Sequence, residues 1–138
     1  MAAKDKFHDA VKTGLIKEGW TVTDDPFFIP FGGVDLYVDL GAEKVIAAVK
    51  ESRKIAVEIK SFLGSSIITE FHSALGQLMS YRLAIKQKDP ERILYLAVPL
   101  EIYRTFFQLE FGRLAIQDYQ LKLIVYNPDN EEIVQWIE

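Results

Sequence analysis

The chain contains no cysteine, which excludes disulfides and thiolate metal sites. Its only histidines, His8 and His72, lie far apart in sequence, which argues against a zinc site. No apolar run reaches the roughly 18 residues that a membrane-spanning helix needs, so no membrane association is expected. The first residues, Met1 to Lys6, lead into no long apolar stretch, so no secretory signal is expected. A cysteine-free chain suits a reducing cytoplasm, and that is the expected location. Positive charge is also scarce: 16 Lys and Arg stand against 20 Asp and Glu, a net charge of −4. That balance excludes nucleic-acid binding through bulk basic charge, although a divalent metal would offset local acid charge. Gly32 and Gly33 are not followed by the lysine-containing pattern of a phosphate loop. Repeats and low-complexity linkers are absent.

What the chain does have is apolar material. Of its 138 residues, 49% are hydrophobic and 12% aromatic, which suits one domain, residues 1–138, with a substantial core. Helical spacing of Phe7, Ala10, Val11, Gly14 and Leu15 predicts a helix over 4–18, stopped by Gly19. Residues 20–23 read as a short strand, and 24–26 and 30–33 as turns. An acidic strand is expected at 34–40 and a second apolar run at 45–49. A hairpin turn is expected at 50–53 and an apolar strand at 55–62. Ser65 or Ser66 can cap the next helix, with Glu70 placed to help. That helix runs over 67–88 and ends at Asp89 and Pro90. An almost wholly apolar strand at 93–98 reads as central. Short helices follow at 99–109 and 112–119, then strands at 121–126 and 133–137, the last at an edge. This α-β-β-β-α-β-α-β-β order predicts an α/β fold, a mixed central sheet flanked by helices.

Two strands carry the chemistry. Strand side chains alternate, so Asp35, Tyr37 and Asp39 share one face of 34–40. Glu58 and Lys60 likewise share a face, while Ile55, Val57 and Ile59 point the other way. A carboxylate and a lysine two residues apart in an apolar strand cost desolvation energy unless something pairs with them. Two acids and a lysine converging between strands can hold a divalent metal and activate a water on a phosphodiester.

The Asp strand, the later Glu58-Ile59-Lys60 and the helix behind it resemble the PD-(D/E)xK nuclease superfamily. At the level of one family, the stretches FHDAVK (7–12), GW (19–20), GGVDLYVDLGAE (32–43), IAVEIKSF (55–62), ALGQ (74–77), LYLAVP (94–99) and IVQWI (133–137) resemble the cyanobacterial XisH family over nearly the whole chain. The resemblance implies a restriction-endonuclease-like core and a role as controlling factor for excision of a DNA element. It further implies a Mg2+ or Mn2+ site made by the Asp39 and Glu58 carboxylates and the Ile59 carbonyl. Lys60 would stabilise the attacking hydroxide or the developing phosphorane charge, and Gln77 would point at the site. The implied partners are DNA, an XisI-type companion protein, site-specific recombinase machinery and a second copy of the chain. The spacing to Glu58 favours Asp39 as the motif acid, with Asp35 as the alternative; a turn at 50–53, however, would set Val45 and Ile46 opposite Glu58 and require a bend near Gly41 to bring Asp39 alongside.

Each residue also has a plainer reading. Glu58 and Lys60 could form a solvated pair on an exposed strand, Asp35 a turn residue after Gly33, and Gln77 or Tyr81 helix surface or core. Glu18 is a weak candidate for an acid on the first helix. His8 could join Asp9 and Lys12 in a polar group there, whereas His72 reads as packing or surface. Lys50, Arg53 and Lys54 read as a solvated hairpin tip, or more sharply as a phosphate contact. Trp20 and Trp136 read as core.

Overall fold

The computed structural model describes residues 3–46 and 51–138. Helix α1 (Ala3–Lys17) opens the chain, followed by β1 (Thr21–Asp24), β2 (Phe27–Phe31), β3 (Val34–Val38), β4 (Leu40–Ile46) and β5 (Glu51–Ile59). Helix α2 (Ile67–Lys88) leads to β6 (Ile93–Pro99). Helix α3 (Leu100–Arg104), a 3-10 turn at Phe106–Gln108 and α4 (Glu110–Asp118) precede β7 (Leu123–Asn127) and β8 (Glu132–Ile137). Six strands form a mixed sheet in the order β1-β4-β5-β6-β7-β8, and β2 and β3 form a separate two-stranded ribbon. The neighbours β5-β6 and β6-β7 are parallel, whereas β1-β4, β4-β5 and β7-β8 are antiparallel. The expected mixed sheet flanked by helices is therefore what forms, with residues 93–98 central and 133–137 at an edge.

The alternation along β5 explains the layering. Ile55 and Val57 face α1 and pack with Ala10, Val11, Leu15, Tyr95 and Tyr126. Ala56 faces the other way, against Tyr81, Ala84 and Ile85 of α2 and Ile29 and Val38 of the ribbon. A further core beneath α2, α3 and α4 holds Phe71, Leu78, Leu96, Val98, Phe107 and Val125. Helix α2 starts where its sequence directs: the Ser66 side chain accepts the Thr69 N–H. Glu70 acts differently from a capping-box acid, accepting the Gly64 N–H at 2.7 Å.

Three expectations are corrected here. Residues 34–40 are not one strand, because β3 ends at Val38 and Leu40 begins β4 in a different sheet. Residues 27–31, read partly as turn, form β2. Its Pro30 is tolerated because the ribbon has no neighbour beyond β3 to demand that N–H. Glu51, Ser52 and Arg53 are strand residues paired with Ile46, Val45 and Lys44, so they are not the hairpin turn. Val45 and Ile46 belong to β4 itself, and residues 47–50 lie outside the described residues.

Candidate active site

The break at Asp39 makes the site. On its N-terminal side, β3 is paired with β2, with Asp35 opposite Pro30. On its C-terminal side, β4 is paired with β5 in a register that sets Leu40 opposite Val57. Asp39 thus arrives next to the end of β5, and its Oδ2 accepts the Ile59 N–H at 2.7 Å. The bend falls at Asp39 and not at Gly41, and Val45 pairs with Ser52, far from Glu58. Asp35 is exposed on the ribbon, 4 residues back, and takes no part. Which of the two acids comes beside β5 follows from the strand each belongs to.

Glu58 shares the α2-facing side of β5 with Ala56 and is only 5% exposed. Its Oε2 lies 3.5 Å from the Lys60 ammonium. Its Oε1 is buried without a hydrogen-bond partner among the described residues, and so is Oε1 of Gln77 on α2. Unpaired buried oxygens of this kind are uncommon and call for a missing partner. Burial first, and then the neighbouring Asp39 charge, push the Glu58 carboxyl up to about 7, against the opposing pull of Lys60. Tyr81, one helical turn after Gln77, is pushed up to about 12 by burial and by the charges of Glu58 and Asp39. The Tyr126 hydroxyl, raised by burial and by Asp39, donates to the Lys60 carbonyl at 3.2 Å. The Lys60 N–H in turn bonds the Ala97 carbonyl of β6 at 3.1 Å. These bonds hold the backbone on both sides of the Lys60 side chain.

Asp39, Ile59 and Lys60 open into a cleft of about 240 Å³ that Phe7, His8, Ser61 and Glu70 also line. The first helix thus contributes His8, whereas Glu18 sits elsewhere, accepting the Trp136 indole N–H at 2.9 Å. His8 shares Asp25 with Lys12, at 2.8 Å and 2.9 Å, and this clamp fixes α1 to the turn after β1. Sequence reasoning missed Ser61 and Glu70 as cleft residues. The only signal was their position, one directly after Lys60 and the other in the first turn of α2. His72 is exposed. Trp20 and Trp136 stack on each other at 5.7 Å, as core residues do. Arg53 and Lys54 are not a solvated tip: they pair with Glu138 at 3.3 Å and with Asp89 at 2.6 Å. Lys50 lies outside the described residues.

The donor set fits a hard divalent cation only in part. No group of three or more His, Cys, Asp or Glu suited to a metal occurs among the described residues. Two carboxylates with an unsatisfied buried oxygen between the strands nevertheless match the way Mg2+ is held, by one or two carboxylates with water and substrate phosphate completing the shell. Asp39, Glu58 and the Ile59 carbonyl are the atoms available for it.

Comparison with known proteins gives the family of the chain. The XisH family model, described as XisH protein, matches residues 1–134. The chain belongs to the XisH family. An XisH family protein from Nostoc punctiforme is 50% identical in sequence, with a TM-score of 0.89 over 97% of this chain and 100% of that one. A fdxN element excision controlling factor protein from Anabaena variabilis is also 50% identical, at a TM-score of 0.89 over 97% of this chain and 99% of that one. No curated protein matches. Among the described residues, no helix is long and apolar enough to cross a membrane.

Proposed function

We propose that this XisH family chain is a controlling factor for excision of a DNA element, and that it carries a PD-(D/E)xK-type site for phosphodiesters. The observation that carries the reading is the meeting of Asp39, Glu58 and Lys60 at the end of β5, with Glu58 Oε1 buried and unpaired. The excision role comes from the similarity to the controlling factor of Anabaena variabilis. Bound Mg2+ or Mn2+ would supply Lewis-acid polarisation of a phosphoryl oxygen and an acidified water. The chain's own residues do the rest. Glu58 must give up its proton to accept a cation; burial works against this by raising its titration to about 7, and a bound cation would favour the ionised form. Lys60, partly exposed to the cleft, supplies fixed positive charge where a phosphorane would gather negative charge. Asp39 is oriented by the Ile59 N–H, and Gln77 on α2 carries a second buried, unpaired amide oxygen.

A second reading is favoured by a specific observation. A net charge of −4 gives little electrostatic drive toward DNA. In that reading the chain regulates a site-specific recombinase through a companion protein of XisI type, and a second copy or that companion supplies the DNA-binding surface. Calorimetry with Mg2+ or Mn2+ separates the two. Wild type is expected to bind the cation, and Glu58→Ala to lose it. Cleavage of plasmid DNA is then expected to fall to background in Lys60→Ala. Absence of cation binding by wild type would sink the catalytic reading and leave the regulatory one.

A further inference from the structure

A broad cleft of about 750 Å³ lies away from Asp39, Glu58 and Lys60. That size is typical of ligand-binding clefts. Lys60 follows the C-terminal end of β5, whereas Ile93, Leu94 and Lys122 of this cleft sit at the N-terminal ends of the parallel β6 and β7. The two sites are therefore at opposite ends of the sheet.

The charge of this cleft runs against that of the whole chain. Its charged lining residues are Arg82, Lys86, Arg92, Lys122 and Glu138, a local net charge of +3 on a chain of −4. Three of the five are already engaged. Arg82 donates to the carbonyls of Tyr119 and Gln120 at 3.0 Å and 3.1 Å. Arg92 is held by Asp89 and the Ile55 carbonyl, both at 2.9 Å, and Glu138 is paired with Arg53. Lys86 and Lys122 make no side-chain hydrogen bond or ion pair within the described residues. The aliphatic side chains Ile85, Ile93, Leu94, Ile116 and Ile137 line the same cleft and supply its apolar floor.

The helix ends discriminate between kinds of anion. Lys86 lies in the last turn of α2, and Gln117 in the last turn of α4, so the cleft is framed by helix C-termini. Their carbonyls carry partial negative charge, which disfavours every anion and a doubly charged phosphate more than a singly charged carboxylate. Phosphate sites use helix N-termini or backbone N–H nests instead. Two separate ammonium groups over an aliphatic floor match singly charged carboxylates interleaved with apolar side chains. The geometry points to a docking groove for an extended segment of another protein, one whose acidic side chains meet Lys86 and Lys122 and whose aliphatic side chains cover the floor. This inference rests on the chain having a protein partner, as in the regulatory reading, and stands whether or not the Glu58 site acts on DNA.

The test is amide NMR of the full, isotope-labelled chain titrated with a blocked hexapeptide alternating glutamate with leucine or isoleucine. Saturable shifts are expected at Lys86, Gln117, Lys122 and Ile137. Lys86→Glu and Lys122→Glu are each expected to weaken binding about tenfold, and the milder Lys86→Gln less. A peptide with glutamine in place of glutamate is expected to leave the spectrum unchanged. Both lysines reach solvent, so unchanged circular dichroism is expected in every variant. No shifts at the cleft, or equal affinity in the charge-reversed variants, would overturn the inference. So would cleft shifts produced by a short DNA duplex and not by the peptide, which would mark a phosphate site, or cleft shifts that follow protein concentration alone, which would mark self-association. The peptide result is independent of cation binding at Glu58, so either reading can fail without the other.

Discussion

Glu58 is the residue whose chemistry is most exposed to test. Folded, it titrates near 7; its ordinary value is 4.5. The folded chain therefore holds the extra proton between those values. The stability contributed by the neutral carboxyl is complete below about 4.5 and is lost as pH rises through about 7. Glu58→Gln keeps the neutral form at every pH. At pH 8 without added metal it should be more stable than wild type by on the order of 3 kcal/mol, and near pH 4 the two should converge. Thermal melts at both pH values measure this, and a Gln variant that melts lower at pH 8 would show that the buried charge is compensated. Asp39 has a structural duty besides any catalytic one. Asp39→Ala strands the Ile59 N–H and should cost about 1–3 kcal/mol, whereas Asp39→Asn retains an acceptor oxygen and should cost less in the same denaturant titration. A periodicity argument could name both Asp35 and Asp39 but could not separate them, because in one continuous strand they would share a face.

At the scale of elements, local signals were the legible ones. The apolar strand around Glu58, the Ser66 cap and the helix stop at Asp89 all depend on neighbours within a few residues; the cap and the stop are where they were expected, and the strand runs over Glu51–Ile59 where 55–62 was expected. Ser66→Ala should therefore cost about 1 kcal/mol, measured by chemical denaturation. The contact between α4 and the 3-10 turn is of another kind. A Cβ added at Gly112 would meet the Phe106 carbonyl oxygen at 2.3 Å and the Phe107 Cα at 2.7 Å. Backbone cannot yield as a flexible side chain can, so Gly112→Ala should destabilise by about 1–3 kcal/mol. Nothing in the local sequence announces that contact. The ribbon strand Phe27–Phe31 was obscured for a related reason. Pro30 and the following glycines carry turn signals, and only pairing with β3 makes the segment a strand.

Across the whole molecule, the central strands have partners on both sides and helices on both faces. Hydrogen exchange should thus be slowest in β5, β6 and β7. It should be much faster in the β2–β3 ribbon, whose two strands pair only with each other and which exposes Phe28, Val34 and Tyr37. Equal protection in the ribbon and in β6 would contradict this ordering. The distribution of charge is likewise a property of the whole. Composition shows only a net acid chain, while folding gathers Lys86, Arg92 and Lys122 around one cleft and leaves Asp39 and Glu58 at the far end of the sheet.

By itself the sequence determined the α/β class, the apolar strand that bears Glu58 and leads into Lys60, the long helix behind it and the family resemblance. Those follow from hydrophobic period and short motifs, which act within a few residues. Tertiary structure alone decided that Asp39 and not Asp35 meets Glu58, that Glu58 is buried with an unpaired oxygen, and that the lysines of α2 and β7's approach share a cleft. The physical reason is strand pairing. A bend at Asp39 hands the continuous chain from one sheet to another, and the register of β4 on β5 is set by the packing of both faces, which no local pattern contains.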